Sequence, residues 1–380
     1  MHETGAMKIC LIISSLSAGG AERVLSLMAN HWAGKGHDVT LMTLASVASD
    51  FYAVDLRVKR VGLDLMRASP HQFAGAFNNL RRLGVLRLAI RHAEPDVVVS
   101  FMAETNVLVL LASRGLRLGV IVSERVDPSR HLIGTVWSWL RRRLYRRADR
   151  VVVQSEQVRD WFGAFVGRER LTIIPNPVNV TNESNNGVSM AGMTGGRSNR
   201  PTMIGMGRMT SQKGFDLLLK AFSIAVRELP EWRLVLLGEG EERSALEQLA
   251  ERLGLAGKVF FPGRVQTPQA ILRQAELFVL SSRYEGFPNA LLEAMSCALP
   301  VISFDCQSGP SEIIRDGIDG LLVPAEDVEA LASAMMQLMG DPAQRARLAV
   351  QAVHVTDRFG MEKVMALWDE VVEAAVAACR

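Results

Sequence analysis

Short runs rich in Val, Ile and Leu alternate with amphipathic helical stretches along almost the whole of this chain, and that alternation leaves few folds open. Before residue 180 the strand-like runs fall near 7–14, 37–44, 58–61, 96–101, 118–123, 149–154 and 171–174. After residue 201 they fall near 202–207, 232–237, 258–261, 276–280, 300–303 and 320–323. Helical patterns fill the gaps, and strict β/α alternation implies parallel sheets covered by helices on both faces. Between the halves, Thr181 to Pro201 is rich in Asn, Ser and Gly with no periodicity, and reads as a flexible linker. The expectation is two doubly wound domains facing a cleft, with ligands held where strands end and helices begin.

Composition supports two buried cores. Of 380 residues, 48% are apolar and 22% charged, which excludes a disordered or collagen-like chain. The four cysteines are scattered without metal or redox spacing, which fits a reduced compartment. No apolar run reaches the ~18 residues needed to span a bilayer. The apolar start could serve as a signal peptide, but it leads into Gly19-Gly20 and a helical pattern and reads better as a buried strand. Charge is divided unevenly. Residues 1–180 hold 24 Lys/Arg against 15 Asp/Glu, and residues 181–380 hold 19 against 25. Either the two halves meet different partners or surface composition simply drifts.

Three strand-to-helix turns carry chemistry. The first runs from Ser14 to Arg23, and Gly19-Gly20 there either let a ligand approach the helix start or only permit a tight turn. It is not G-x-G-x-x-G, which weighs against a dinucleotide. The second runs from Gly207 to Gly214, with Arg208 and Lys213 able to fork onto and neutralise phosphate oxygens or to remain solvated charges. The third, Ser281 to Ala294, places Pro288 at a helix start whose amides around Asn289 to Leu291 would face an anion. Glu285 precedes that start and Glu293 follows it. Carboxylates beside an anion site accept hydroxyl hydrogen bonds, which suits a phosphorylated polyol such as a nucleotide sugar. The plainer reading makes Glu285 a cap and Glu293 a solvated helix residue, although Glu293 sits in the apolar run ALLEAM.

With these turns on the page, the chain resembles the retaining glycosyltransferases of family 4, with their two-Rossmann-domain GT-B architecture. The resemblance rests on GGAER, SERVDP at 123–128, GRMTSQKGFDLLLKAF at 207–222, LLGEGEER at 236–243, FPGRV at 261–265, EGFPNALLEA at 285–294 and GPSEIIRDGIDGLLVP at 309–324. It is most similar to bacterial transferases that extend lipid-linked oligosaccharides, including those adding N-acetylgalactosamine. The resemblance implies an N-terminal acceptor domain over 1–180, a linker over 181–201, a nucleotide-sugar domain over 202–358 and a final helix, 359–380, packed on the N-terminal domain. It implies that Arg208 and Lys213 hold the donor diphosphate, and that Glu285 with the backbone of Gly286, Phe287, Pro288, Asn289 and Ala290 grips the sugar. Glu293 would take the ribose, Arg264 and Val265 would lie near the base, and Gly19 and Gly20 would approach the diphosphate. Many relatives carry histidine after Ser-Glu; here Arg125 stands there, with Glu124 before it, as acceptor-side residues.

The expected reaction is retaining transfer of a hexose or N-acetylhexosamine from a nucleotide sugar, UDP-linked, with no cofactor and no metal, since no Asp-x-Asp pair stands at a strand end. Arg208, Lys213 and the helix start would stabilise charge growing on the departing diphosphate. A polyprenyl-diphosphate-linked acceptor would meet the basic N-terminal half. Arg81 and Arg82 would contact its pyrophosphate. Six arginines lie between 141 and 150, and Trp137, Leu140, Leu144 and Ala148 recur at helical spacing. This helix either rests on an anionic bilayer or buries its stripe in the core. The protein would then be cytoplasmic and peripheral on the inner face of the plasma membrane. Nucleic acid is excluded as a partner, because the basic helix lacks interleaved aromatics and the net charge is only +3. The histidines show no metal spacing. A non-enzymatic nucleotide-sugar sensor and a transferase with a soluble acceptor stay open as alternatives.

Overall fold

The structure, a computed structural model, describes residues 5–66, 72–130, 133–179, 190–193 and 200–379. The chain separates into two compact units, residues 1–176 with 362–380, and residues 177–361. Each is built on one parallel sheet, as the alternation of elements requires. The N-terminal sheet holds β1 (Lys8–Ile13), β2 (Asp38–Thr43), β3 (Lys59–Gly62), β4 (Val97–Phe101), β5 (Gly119–Ser123), β6 (Arg150–Val153) and β7 (Leu171–Ile173), in the order β3-β2-β1-β4-β5-β6-β7. The C-terminal sheet holds β8 (Thr202–Met206), β9 (Arg233–Leu237), β10 (Val259–Gly263), β11 (Leu277–Leu280), β12 (Val301–Asp305) and β13 (Leu321–Pro324), in the order β10-β9-β8-β11-β12-β13. In both sheets the order reverses after the first strand, between β1 and β4 and between β8 and β11. Helices leave opposite faces at such a switch point, so a crevice opens at the carboxyl ends of those two strands.

The central strands are apolar on both faces because both faces are covered. In the C-terminal unit Met203, Leu234, Leu236, Leu277, Val279, Ile302 and Phe304 pack with the helices Phe215–Glu228 and Val328–Gly340. Their neighbours Ile204, Val235, Leu237, Phe278, Leu280 and Val301 pack on the other side with the helix Asn289–Ser296. The alternation of these two sets along each strand is the period-two pleat.

Two segments differ from the sequence expectation. Most of the expected linker, 181–189 and 194–199, lies outside the described residues. Within it, Met190 is buried in the C-terminal core and donates its amide to the Gln274 side chain at 3.0 Å. An apolar anchor therefore interrupts the polar run. The unit boundary falls at Asn176/Pro177, ahead of that run. The last helix, Met361–Ala377, belongs to the N-terminal unit. Trp32 Nε1 and Lys35 Nζ both donate to Asp369, at 2.7 and 2.6 Å, and Trp368 is fully buried. His2, His71 and His131 lie outside the described residues. His37 accepts a hydrogen bond from the Met7 amide, and His354 pairs with Asp357.

Phe222 is fully buried in the C-terminal core. Phe222→Ala should cost about 3–5 kcal/mol of that unit's stability, because the site cannot collapse around the lost ring. Urea denaturation followed by far-UV circular dichroism checks this, and a loss below ~1 kcal/mol would contradict the packing described.

Candidate active site

The loops after β8 and β11 border the switch point of the C-terminal sheet, and the structure ties them together side chain by side chain. Lys213 Nζ donates to Glu285 Oε1 at 2.5 Å, and Ser282 Oγ donates to the same oxygen at 2.6 Å. Both carboxylate and ammonium are largely withdrawn from water, with side-chain exposures of 7% and 18%. Oε1 of Glu285 is thus engaged twice, while no hydrogen bond to Oε2 forms among the described residues. An ammonium carries three donors, so Lys213 keeps two for other acceptors. The pair also cancels the negative charge of Glu285, which would otherwise repel a phosphate.

Backbone geometry makes the pairing possible. Gly207 lacks a Cβ where one would press on the Lys213 stem, so the lysine lies flat across the strand end. Gly214 sits at φ 60°, and a Cβ there would collide with the Ser281 carbonyl oxygen. Glycine therefore meets both demands of the turn, left-handed backbone and close approach of the two loops.

Further contacts hold the loops in register. Arg283 forks onto both oxygens of Asp216 at 2.8 Å and donates to the Ser211 carbonyl at 2.7 Å. Its amide donates to the Gln212 carbonyl, Gln212 Nε2 returns to the Tyr284 carbonyl, and Ser281 Oγ donates to the Lys213 carbonyl. Burial opposes ionisation of Asp216, but the Arg283 hydrogen bonds prevail and hold its carboxyl below the usual range. The fork is therefore intact at neutral pH and is lost only as pH falls through that lowered value. Ser308 Oγ donates to the Glu285 carbonyl at 3.2 Å. Nearby Cys306 remains a neutral thiol, because burial, with the Glu285 charge adding, pushes its pKa to about 12.

The remaining donor-side candidates surround this pair. Arg208 is exposed, with no ion pair among the described residues. Pro288 is the N-cap of the helix Asn289–Ser296, and the Gly286 and Ala290 amides have no acceptor in the protein among the described residues. The expectation for Leu291 is corrected: its amide donates to the Pro288 carbonyl at 3.1 Å, because the helix closes its first turn there. Phe287 turns inward, edge-on to Phe359 with ring centroids 5.3 Å apart. Glu293 is buried, so the solvated-residue reading fails. Exposed Arg264 and half-buried Val265 follow β10, two strands from β8 and so about 10 Å away.

In the N-terminal unit Gly19 caps the helix Gly20–Gly34 beyond β1, at the sheet's own switch point. Across it, Met102 follows β4 at φ 77°, a strained backbone of the kind that gathers at functional sites. Glu124 and Arg125, expected to face an acceptor, are turned into the interior. Tyr145 donates its hydroxyl to Glu124, Arg141 lies 3.9 Å from Glu124, and Asn106 Nδ2 bonds the Tyr145 oxygen at 2.9 Å. Burial raises the Glu124 pKa, and Arg141 and Tyr145 only partly offset it. Arg81 is exposed, whereas Arg82 spends its guanidinium on the Leu65 carbonyl and Asn79. Among the described residues no three His, Cys, Asp or Glu side chains gather as a metal cage.

This arrangement has known counterparts. The "Glycosyl transferase 4-like domain" model matches residues 19–177, and the "Glycosyl transferases group 1" model matches residues 194–354. A Campylobacter jejuni α-1,4-N-acetyl-D-galactosaminyltransferase, named for an acceptor built on diNAcBac-PP-undecaprenol, is 30% identical over 369 residues, covering 96% of this chain and 98% of that protein. This chain belongs to the group 1 glycosyltransferases. The glycosyltransferase is also 26% identical to the amylovoran biosynthesis protein AmsD of Erwinia amylovora, over 96% of this chain and 99% of that one. Its fold matches Anabaena HepE, solved with UDP, at a TM-score of 0.76 and 20% identity, covering 97% of this chain and 100% of that one. It matches a Thermosynechococcus elongatus sucrose-phosphate synthase at 0.83 and 18% identity, covering 97% and 99%. The architecture is GT-B.

Sequence reasoning missed the residues that hold the site rather than touch a ligand: Ser281, Ser282, Arg283, Asp216 and Ser308. Their signal was present, since the first four sit in or beside the turns singled out and Ser308 directly precedes the motif at 309–324, but only contact assigns them. Asp216→Ala should release Arg283 and lower the transfer rate by about 10-fold or more while the chain stays folded. Initial rates of nucleoside diphosphate release test this, and an unchanged rate would sever Arg283 from the site.

Proposed function

We propose that this glycosyltransferase moves an N-acetylhexosamine from a UDP-sugar onto a polyprenyl-diphosphate-linked glycan, with retention of anomeric configuration and without a metal. The observation that carries the donor half is the Lys213–Glu285 pair at the switch point, with exposed Arg208 on the same loop. It is a place with cationic donors for a diphosphate and a carboxylate for hydroxyls. UDP in HepE and the lipid-linked acceptor in the name of the Campylobacter relative support the choice of substrates.

The chemistry follows from where charge develops. As the anomeric carbon–oxygen bond breaks, negative charge grows on the diphosphate, and Arg208, Lys213 and the amides of Gly286 and Ala290 stabilise it. The acceptor hydroxyl attacks the anomeric carbon on the face the diphosphate leaves, and its proton passes to the departing phosphate oxygen. No protein nucleophile enters this route. Glu285, already held by Lys213 and Ser282, orients the sugar through Oε2. Glu293 takes the ribose hydroxyls, and Arg264 and Val265 flank the base. Lys213→Ala should lower kcat/KM for the donor by about 10²–10³. The measurement is UDP release from UDP-N-acetylgalactosamine with and without a polyprenyl-diphosphate-linked N-acetylgalactosamine acceptor. Release that does not depend on any acceptor, or that survives the substitution, would overturn this reading.

The acceptor brings the enzyme to a membrane, and one face of the N-terminal unit suits it. No described helix is long and apolar enough to cross a bilayer. On the helix Thr135–Leu144 the stripe of Trp137, Leu140 and Leu144 packs into the core, so that stripe is not the lipid face. The opposite face exposes Val136 (67%) and Trp139 (63%). Exposed Arg142, Arg143, Arg146 and Arg147 follow, none in an ion pair among the described residues. Leu80, Arg81, Leu88 and Arg91 make a similar exposed face on the helix Gln72–Ala93. Aromatic and aliphatic tips among uncompensated arginines fit the headgroup layer of an anionic leaflet, here the inner face of the plasma membrane. Arg143→Glu with Arg147→Glu should weaken binding to phosphatidylglycerol-containing vesicles at least ~30-fold, since each basic residue contributes about 1 kcal/mol there. Flotation measures it. Equal flotation with purely zwitterionic vesicles would remove this face from the reading.

A further inference from the structure

Arg125 is a buried cation without a counter-ion, and its contacts explain what it does. It follows β5, is 7% exposed, and has no carboxylate in ion-pair reach among the described residues. Its Cζ lies 3.8 Å from the Phe101 ring centroid and 5.5 Å from that of Trp368. Nη1 donates to Asn176 Oδ1 at 2.8 Å, and Gln154 Nε2 donates to the same oxygen at 2.5 Å. Nε and Nη2 are buried without an acceptor among the described residues. Burial alone pushes the guanidinium pKa down to about 9. A folded-state value below the unfolded one means the charged form is penalised on folding, and at neutral pH that penalty is present in full.

Two of these partners, Asn176 and Trp368, share one property. Asn176 is the last residue of the N-terminal unit before the chain passes into the C-terminal unit, and Trp368 stands on the helix that follows its return at Glu362. Just beyond, Val178 donates its amide to the Phe359 carbonyl at 2.8 Å and bridges Gly360, so the outgoing and returning segments run together. We propose that Arg125 is a positioning residue for glycosyl transfer: without touching substrate, it fastens both connecting segments, through Asn176 and Trp368, to the carboxyl ends of β4 and β5. The penalty of an unpaired buried cation is then retained for placement rather than for stability.

The test uses the full chain and the variants Arg125→Met, Arg125→Lys, Trp368→Leu and Asn176→Ala. Arg125→Met should melt no lower than the wild type at pH 7, while hydrogen exchange quickens ~10-fold or more in both 174–179 and 361–369. With UDP-N-acetylgalactosamine and the lipid-linked acceptor, kcat should fall ~10- to 100-fold with KM for each substrate within about twofold. Arg125→Lys should recover part of both effects, and Arg125→Met combined with Asn176→Ala should be no worse than the more severe of the two. Unchanged exchange in either segment would overturn the proposal. So would a raised KM at constant kcat, which would make Arg125 a ligand contact, or a lowered melting point with normal kcat, which would make it structural. Should Arg125→Met fail to fold, Trp368→Leu and Asn176→Ala must quicken the same two segments. Exchange does not depend on the donor, so a wrong substrate would defeat the proposed function while leaving this assignment standing.

Discussion

Lys213 and Glu285 meet because a parallel sheet splits at one place only. Strand order reverses between β8 and β11, the loops that follow diverge, and their inner sides face each other over the strand ends. An ion pair across that gap closes two loops separated by 72 residues, and it is short, at 2.5 Å, and mostly dry. Breaking one half would leave the other charged and poorly hydrated. The surrounding geometry serves this contact. Gly207 clears room for the lysine stem, Gly214 supplies the left-handed turn, and the Arg283–Asp216 fork locks the loop from outside. A chain that loses this register retains its motifs and loses its site.

The N-terminal unit uses the same architecture with a different internal economy. One set of polar groups at its strand ends is bonded in series: Ser100 to Asn106, Asn106 to Tyr145, Tyr145 to Glu124, with Arg141 beside them. Such a network specifies one arrangement, because every partner removed strands another in a low-dielectric interior. The loops after β8 and β11 in the C-terminal unit instead leave groups open among the described residues, namely Glu285 Oε2, exposed Arg208 and the amides of Gly286 and Ala290.

Periodicity made the fold legible. Each strand from Lys8–Ile13 to Leu321–Pro324 falls within a residue or two of the run that announces it, because strands buried on both faces must be continuously apolar. The two parallel sheets and the group of Lys213, Glu285 and Arg208 at one switch point followed from that and from turn chemistry. What was not legible is which way a side chain points. Trp137 and Trp139 are two residues apart and equally apolar, yet one packs inward and the other stands 63% exposed. The amphipathic pattern identified the helix but left open whether its stripe meets lipid or the core; Trp137, Leu140 and Leu144 pack inward, since a stripe at helical spacing is what any core demands. The Leu291 amide was lost to a first helical turn, and Met190 showed that a polar run can carry a buried anchor.

Arginine shows the limit most clearly. Six arginines between residues 141 and 150 read alike as a basic cluster. In the structure Arg141 is sealed against Trp161 beside Glu124, Arg146 caps the Phe165 carbonyl, and Arg142, Arg143 and Arg147 remain in water. Arg125, which the sequence sets among the acceptor-side residues, is buried against Phe101 and Trp368. Composition counts charge, but function depends on how much water each charge retains: solvated guanidinium groups are free to meet phosphates, and desolvated ones have already been spent on the protein itself. The basic character of the N-terminal half is therefore two properties under one number, a set of solvated charges and an inner set of struts that helps decide where its helices sit.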